Sequence, residues 1–261
     1  MTMKAENRRP TLNRALFAAR PLESGALAPL TTLLHRFTEP GDYELFVRRD
    51  GQMVGRSIVR VVGELPRAAP PRGTDAPRVP TPLAAGATHQ TNIDLAAFGA
   101  AVAGCAPEAT TTVLATGGVI GFYVSEGTSR HTVTITRLVG EKKETVLDST
   151  AGVPEGDFFA VTLVRPGVYT VANRLGEGQM KVEVKLPTEK GYRPNEGVIV
   201  QVSRGGFDPA GVSLYSGQSI LFQCRTAAQF TVELAKAAPE TIRAAGERRR
   251  HTVRKRRPPA P

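Results

Sequence analysis

The sequence predicts an all-β protein assembled from repeated sandwich halves. Three observations carry that expectation: short runs that alternate apolar and polar residues, abundant turn formers, and internal repetition. Of 261 residues, 26 are Gly and 20 are Pro, which suits frequent turns between short strands. Apolar residues make up 41%, enough for a sizeable core, and Trp is absent.

In chain order, the first dozen residues are polar. Residues 13 to 62 hold two β-rich runs flanking Asp50-Gly51, a hairpin signal. Residues 63 to 90 are rich in Pro, Ala and Arg and read as a linker. Residues 93 to 104 suit a short helix or an entering strand. From Thr110 to Pro187 strand patterns dominate. His131-Thr-Val-Thr-Ile135 and Met180-Lys-Val-Glu-Val-Lys-Leu186 alternate as a half-buried sheet requires. Residues 197 to 235 add further strands, and residues 236 to 261 form a polar, basic tail.

Two repeats run through this order. Leu22-Glu-Ser24, Pro29, Pro40-Gly41-Asp-Tyr43 and Gly51-Gln-Met53 are matched by Leu147-Asp-Ser149, Pro154, Pro166-Gly167-Val-Tyr169 and Gly178-Gln-Met180. Gly118-Val-Ile-Gly-Phe122 leading to His131-Thr-Val-Thr-Ile135 is matched by Gly217-Gln-Ser-Ile-Leu-Phe222 leading to Phe230-Thr-Val-Glu-Leu234. The middle of the chain carries a first-half motif and then a second-half motif. The amino-terminal segment carries only a second half, and the carboxy-terminal segment only a first half. A lone half exposes an apolar face and unpaired edges. The expected architecture is therefore a continuous sandwich over residues 91–190 and a discontinuous one joining 13–62 to 196–235. Exchange of halves between two protomers, giving a homodimer, also satisfies the edges.

The middle unit resembles the cupredoxins. Gly117-Gly-Val-Ile-Gly-Phe122, His131-Thr-Val-Thr-Ile135, Arg165-Pro-Gly-Val-Tyr-Thr-Val171 and Gln179-Met-Lys-Val-Glu-Val184 follow that family's order. The resemblance implies Greek-key β-sandwiches. It also implies a copper site formed by a His, then a Cys, a His and usually a Met, whose thiolate and imidazoles hold the metal. His131 matches the first ligand and Met180 the last. The thiolate position falls near Asn173, and residues 174 to 179 contain no His. In the split unit the first-ligand position is Phe230, and residues 48 to 51 hold neither Cys nor His. The resemblance therefore implies the fold without a type 1 copper centre. Copper on His131 and Met180 is kept as an alternative, and no other cofactor is expected.

The net charge is +10, and its location matters more than its size. Eight of the 34 Lys/Arg but one of the 24 Asp/Glu lie in residues 243–261, so the tail carries +7. Arg248, Arg249, Arg250, Arg254, Lys255, Arg256 and Arg257 are its anion-binding candidates. They suit phosphates of nucleic acid or another anionic surface, without aromatic residues to stack on bases. The alternative is a solvated, solubilising extension.

Other chemistry is sparse. Cys105 and Cys224 form no disulfide framework and read as buried small hydrophobes. His35 and His89 have no Cys pair at zinc spacing. No phosphate loop or nucleophile elbow is present. No signal-peptide h-region and no apolar run of membrane-spanning length is visible, so a cytoplasmic protein is expected. The expected function is a non-enzymatic binding or scaffold protein with a protein partner. The alternatives are an atypical copper-binding or electron-transfer protein and a nucleic-acid-associated protein acting through its tail.

Overall fold

The computed structural model describes residues 20–63, 87–98, 111–187 and 196–238. The described chain is nearly all strand, with a single three-residue 3-10 turn at Leu95–Ala97. The first eight strands are β1 (Leu22–Glu23), β2 (Thr31–Arg36), β3 (Gly41–Arg49), β4 (Gln52–Val62), β5 (Thr88–Asp94), β6 (Thr111–Tyr123), β7 (His131–Val139) and β8 (Lys142–Asp148). Eight follow: β9 (Phe158–Thr162), β10 (Gly167–Asn173), β11 (Gln179–Lys185), β12 (Val198–Ser203), β13 (Gly206–Asp208), β14 (Gly211–Tyr215), β15 (Ser219–Cys224) and β16 (Phe230–Ala237). They form a five-stranded sheet, β1-β16-β10-β11-β14, and an eleven-stranded one. Both sheets mix parallel and antiparallel pairs and line one continuous apolar core, a sandwich-like arrangement.

The repeats seen in the sequence are structural repeats, except that Phe230 corresponds to Val133 and Ala228 to His131, a two-residue shift from the sequence match. β3 pairs with β4 and β7 as β10 pairs with β11 and β16. Gly41 and Gly167 open β3 and β10 at φ 146° and 151°. A Cβ at Gly167 would lie 2.4 Å from the Lys236 carbonyl oxygen, so no larger residue fits there. Tyr43 and Tyr169 each donate a hydroxyl hydrogen bond to a carbonyl four residues back, Glu39 at 2.7 Å and Arg165 at 2.8 Å. The first half of β6 runs beside β4 and its second half beside β2, with Gly117 at the bend. In the other repeat the same path breaks into β14 and β15, with Gly217 at the turn.

The ladders join the halves differently from the expected arrangement. The amino-terminal half (β2 to β4) pairs with β6 and β7, not with residues 206–234. The half containing β9 to β11 pairs with β14, β15 and β16. Each unit thus reads second half then first half along the chain, and both units are built from neighbouring sequence. Closing the shorter loops costs less chain entropy than bringing the two ends of the chain together. Among the described residues the ends meet along β1, where Leu22 and Glu23 pair with Val232 and Thr231 of β16, and at Ser24, which bonds to Phe230. The expected linker 63–90 ends inside β5, which starts at Thr88; residues 64–86 lie outside the described residues. Of residues 93–104, Ile93 and Asp94 finish β5 and Leu95–Ala97 form the 3-10 turn. The tail reading beyond residue 238, with all seven anion-binding candidates, lies outside the described residues, as does Cys105.

The two repeats meet about an approximate two-fold axis. β2 and β9 pair antiparallel with Leu33 opposite Phe159, each the counterpart of the other. Two crossing segments lock them. Ser24 exchanges hydrogen bonds with Phe230, its NH to the carbonyl at 3.2 Å and its Oγ from the NH at 2.9 Å. Ser149 does the same with Val133, at 2.9 and 3.0 Å. Leu27 then pairs with His131, and Val153 with Ala228. Each crossing segment therefore touches both repeats.

Candidate functional site

Beside that axis the symmetry breaks. Alternation along β2 directs Leu33, His35 and, just past the strand, Phe37 inward. The counterparts along β9 are Phe159, Val161 and Leu163, all apolar and buried. Position 35 thus carries an imidazole where the other repeat carries valine. The partner of His35 is equally particular. Tight turns precede both strands, closed by Thr31 NH to Ala28 O at 3.1 Å and by Asp157 NH to Pro154 O at 3.3 Å. Each turn has a residue with positive φ, Leu30 at 77° and Gly156 at 87°. Asp157 therefore occupies the place of Thr31.

His35 Nδ1 lies 2.6 Å from Asp157 Oδ2, and Asp157 Oδ1 accepts from the Arg36 backbone NH at 3.0 Å. His35 is 7% exposed and Asp157 3%. The ring packs edge-on against Phe37 at 4.7 Å between centroids. Nδ1 faces the carboxylate, and Nε2 is the ring nitrogen that Asp157 leaves unengaged. The pair lines a cavity of about 390 Å³ whose walls include Tyr43, Arg137, Glu144 and Glu155. Arg137 is tied to Glu39 and to the Pro40 carbonyl. Thr38 and Tyr43 are the hydroxyl-bearing residues of its wall, and the Tyr43 hydroxyl donates to the Glu39 carbonyl. The arrangement can orient one imidazole and offer it to a ligand.

The residues singled out in the sequence are not brought together. His131 lies on β7 and Met180 on β11, strands of different sheets. Both are 2% exposed. His131 Nε2 accepts from Arg49 Nε at 3.2 Å, and Arg49 also donates to the Ala96 carbonyl at 3.2 Å. His131 Nδ1 is buried without a hydrogen-bond partner. This histidine fixes β7 against β3 and the 3-10 turn. Asn173, at the thiolate position of the cupredoxin pattern, accepts through Oδ1 from Leu175 NH at 3.1 Å and Gln229 NH at 2.9 Å. It closes the β10–β11 turn onto β16. Among the described residues no three His, Cys, Asp or Glu side chains form a group able to hold a metal ion.

Burial sets the remaining protonation states. It raises the Tyr43 and Tyr169 phenols and pushes the Cys224 thiol up to about 12. Burial, and then the Arg49 charge, hold His131 below its ordinary value. The first three favour the neutral group in the fold. Their contribution is complete below their unfolded values, about 8.5 for a thiol and about 10 for a phenol, and is lost as pH rises through the folded ones. His131 contributes above its unfolded value of about 6.5 and loses that contribution as pH falls. The urea midpoint should hold level between about pH 7 and 8.5 and fall on either side. Cys224→Ala should delay the alkaline fall, and a midpoint flat to pH 11 would contradict these assignments.

In the sequence His35 bears only on zinc spacing, and nothing there singles out Asp157. Their signal was the repeat itself, carried residue by residue past its matched landmarks until a histidine faces a valine. No helix among the described residues is long and apolar enough to cross a membrane. Comparisons with known protein families, with curated proteins and with solved structures find no match.

Proposed function

We propose that this chain is a non-enzymatic binding protein, made of two cupredoxin-like units without a type 1 copper centre, that presents the His35–Asp157 cavity to a ligand or partner. The observation that carries this reading is the broken symmetry. A buried polar pair stands where Val161 and Thr31 serve the same fold in the other repeat. A buried polar pair is a weak source of stability, since its desolvation cost offsets its attraction. A pair the fold does not need, opening on a cavity of ligand size, points to recognition. The cupredoxin-like reading of the units is supported by their motifs, which each unit carries in permuted order, second half then first, and by their layered, mixed sheets.

The test is a ligand-observed NMR screen of neutral, cationic and anionic fragments against the full chain and against the doubly substituted H35V/D157T protein. That variant copies the other repeat into the site. Binders should appear with the unsubstituted protein and vanish with the variant. Fragments that bind both equally would place recognition elsewhere.

A further inference from the structure

The alternation that sends Leu33, Phe122, Phe159 and Phe222 into the core sends their neighbours the other way. The strands run side by side in the order β12-β15-β9-β2-β6, with β5 beside the second half of β6. On their outward face Ile199, Leu221, Ala160, Thr32 and Tyr123 form one row by register. Phe158 and Leu34 stand opposite each other in the next row. Ile199 is 60% exposed and the other apolar members are half-buried. None of them joins the core or the side chains packed against it.

This face differs from the others in charge. The outer faces of the flanking strands carry ion pairs, Arg60–Asp42, Arg56–Glu44–Lys143 and Lys185–Glu183. Along β12, β15, β9, β2, the second half of β6 and β5, the outward charges are Arg36 and Asp94, each at the end of its strand. Polar groups between them lie flat or pair with each other. Thr162 and Ser219 share a hydroxyl hydrogen bond at 2.7 Å. The Asn92 amide lies over Gly121, where a Cβ would stand 2.5 Å from its Oδ1. A charged partner finds nothing in the middle of such a face to pair with, whereas a second flat, neutral sheet does. An isologous contact buries the same patch on both copies and so needs a patch that complements itself. We propose that two copies of the chain associate by stacking this face on itself, sheet on sheet at about 10 Å. Strands lie about 4.8 Å apart and side chains of one face recur about every 6.7 Å, so the patch measures about 24 by 20 Å, or about 1,000 Å² over two copies. That area stands at the lower limit of specific interfaces, and the dimer is accordingly a reversible one. Each copy keeps its own halves, so the contact is not an exchange of halves between protomers. It is also independent of the His35–Asp157 pair, whose side chains face inward.

The test is sedimentation equilibrium of the full chain at about 0.15 M salt. It should show monomer and dimer in exchange, with a dissociation constant of about 10–100 µM. Ile199→Lys alters a side chain that is already exposed, so the variant should fold normally and weaken the dimer about tenfold. Ala160→Lys places a charge at the centre, between Thr32 and Leu221, and should leave no dimer up to about 1 mM. A retained urea midpoint checks that A160K is folded; where it is not, I199K decides alone. Raising the salt to about 1 M should leave the dimer intact, because an apolar contact is not screened. A dimer lost at high salt would assign the association to charged groups, the basic tail among them, and would overturn the proposal. A dimer indifferent to both substitutions would place the contact on another face and overturn it as well. So would a chain that stays monomeric at about 1 mM, since the face would then be bare or covered by something other than a second copy.

Discussion

Replacing Phe222 by alanine should cost the protein about 3–5 kcal/mol. Phe222 is fully buried on β15, between β12 and β9. Its ring centroid lies 4.8 Å from that of Phe230, 6.3 Å from Phe159 and 6.1 Å from Phe207. Those rings come from both sheets, so the side chain fills the space between layers. Truncation removes its transfer free energy and leaves a cavity that rigid strands on every side cannot close. The urea midpoint should fall with little change in slope, and the melting temperature should drop by about 10 °C. Ile199→Ala gives the contrast. That side chain is 60% exposed on neighbouring β12, and its loss should cost less than about 0.5 kcal/mol. A small effect at Phe222 would mean that the two layers do not pack through this cluster.

The strands, the turns and the repeated landmarks were legible because each rests on local chemistry. Alternation gave His131–Ile135 and Met180–Val184, and both lie in strands with the expected faces inward. Pro-Gly-x-Tyr at residues 40–43 and 166–169 marked equivalent corners, and the two tyrosines make the same hydrogen bond. Tyr43, Leu45, Phe222 and Phe230, at apolar positions of the strands in the terminal segments, are buried. Burial follows from each strand's own pattern, whichever strand lies beside it.

Partnership was not legible, for the same reason. A half-sandwich motif states which face must be covered without stating by what. Both frames, first half then second or second then first, satisfy the same alternation and the same edges. The deciding contacts are nonlocal: β3 beside β7 and β10 beside β16, each with several strands between them in the chain. Nor did the position of the family's first copper ligand reveal a site. His131 Nε2 accepts from Arg49 while Nδ1 stays unpartnered, and Met180, on the other sheet, packs in the core. The pair that stands out physically, His35 and Asp157, is separated by 122 residues, and it is joined only because β2 and β9 meet at the two-fold axis.

That pair yields the most discriminating stability experiment. His35→Val alone should destabilise the fold by about 3 kcal/mol or more. It leaves Asp157 buried with a single hydrogen bond, from the Arg36 NH, and no imidazole to balance its charge. Asp157→Thr alone should cost a similar amount by stranding the imidazole. The double substitution should behave quite differently. Val161 shows that valine packs at this place in the repeat, and Thr31 shows what threonine does in the turn. Thr31 donates its hydroxyl to the Ala28 carbonyl at 2.7 Å, and a threonine at 157 can donate to the Pro154 carbonyl in the same way. Replacing a buried ion pair by well-packed neutral residues is commonly neutral or stabilising by about 1–4 kcal/mol. H35V/D157T should therefore match or exceed the unsubstituted protein in urea midpoint, with a coupling energy between the sites of about 3 kcal/mol or more. A double variant less stable than either single one would show that the pair holds the two repeats together. The argument that it is kept for recognition would then lose its footing, because the fold itself would account for it.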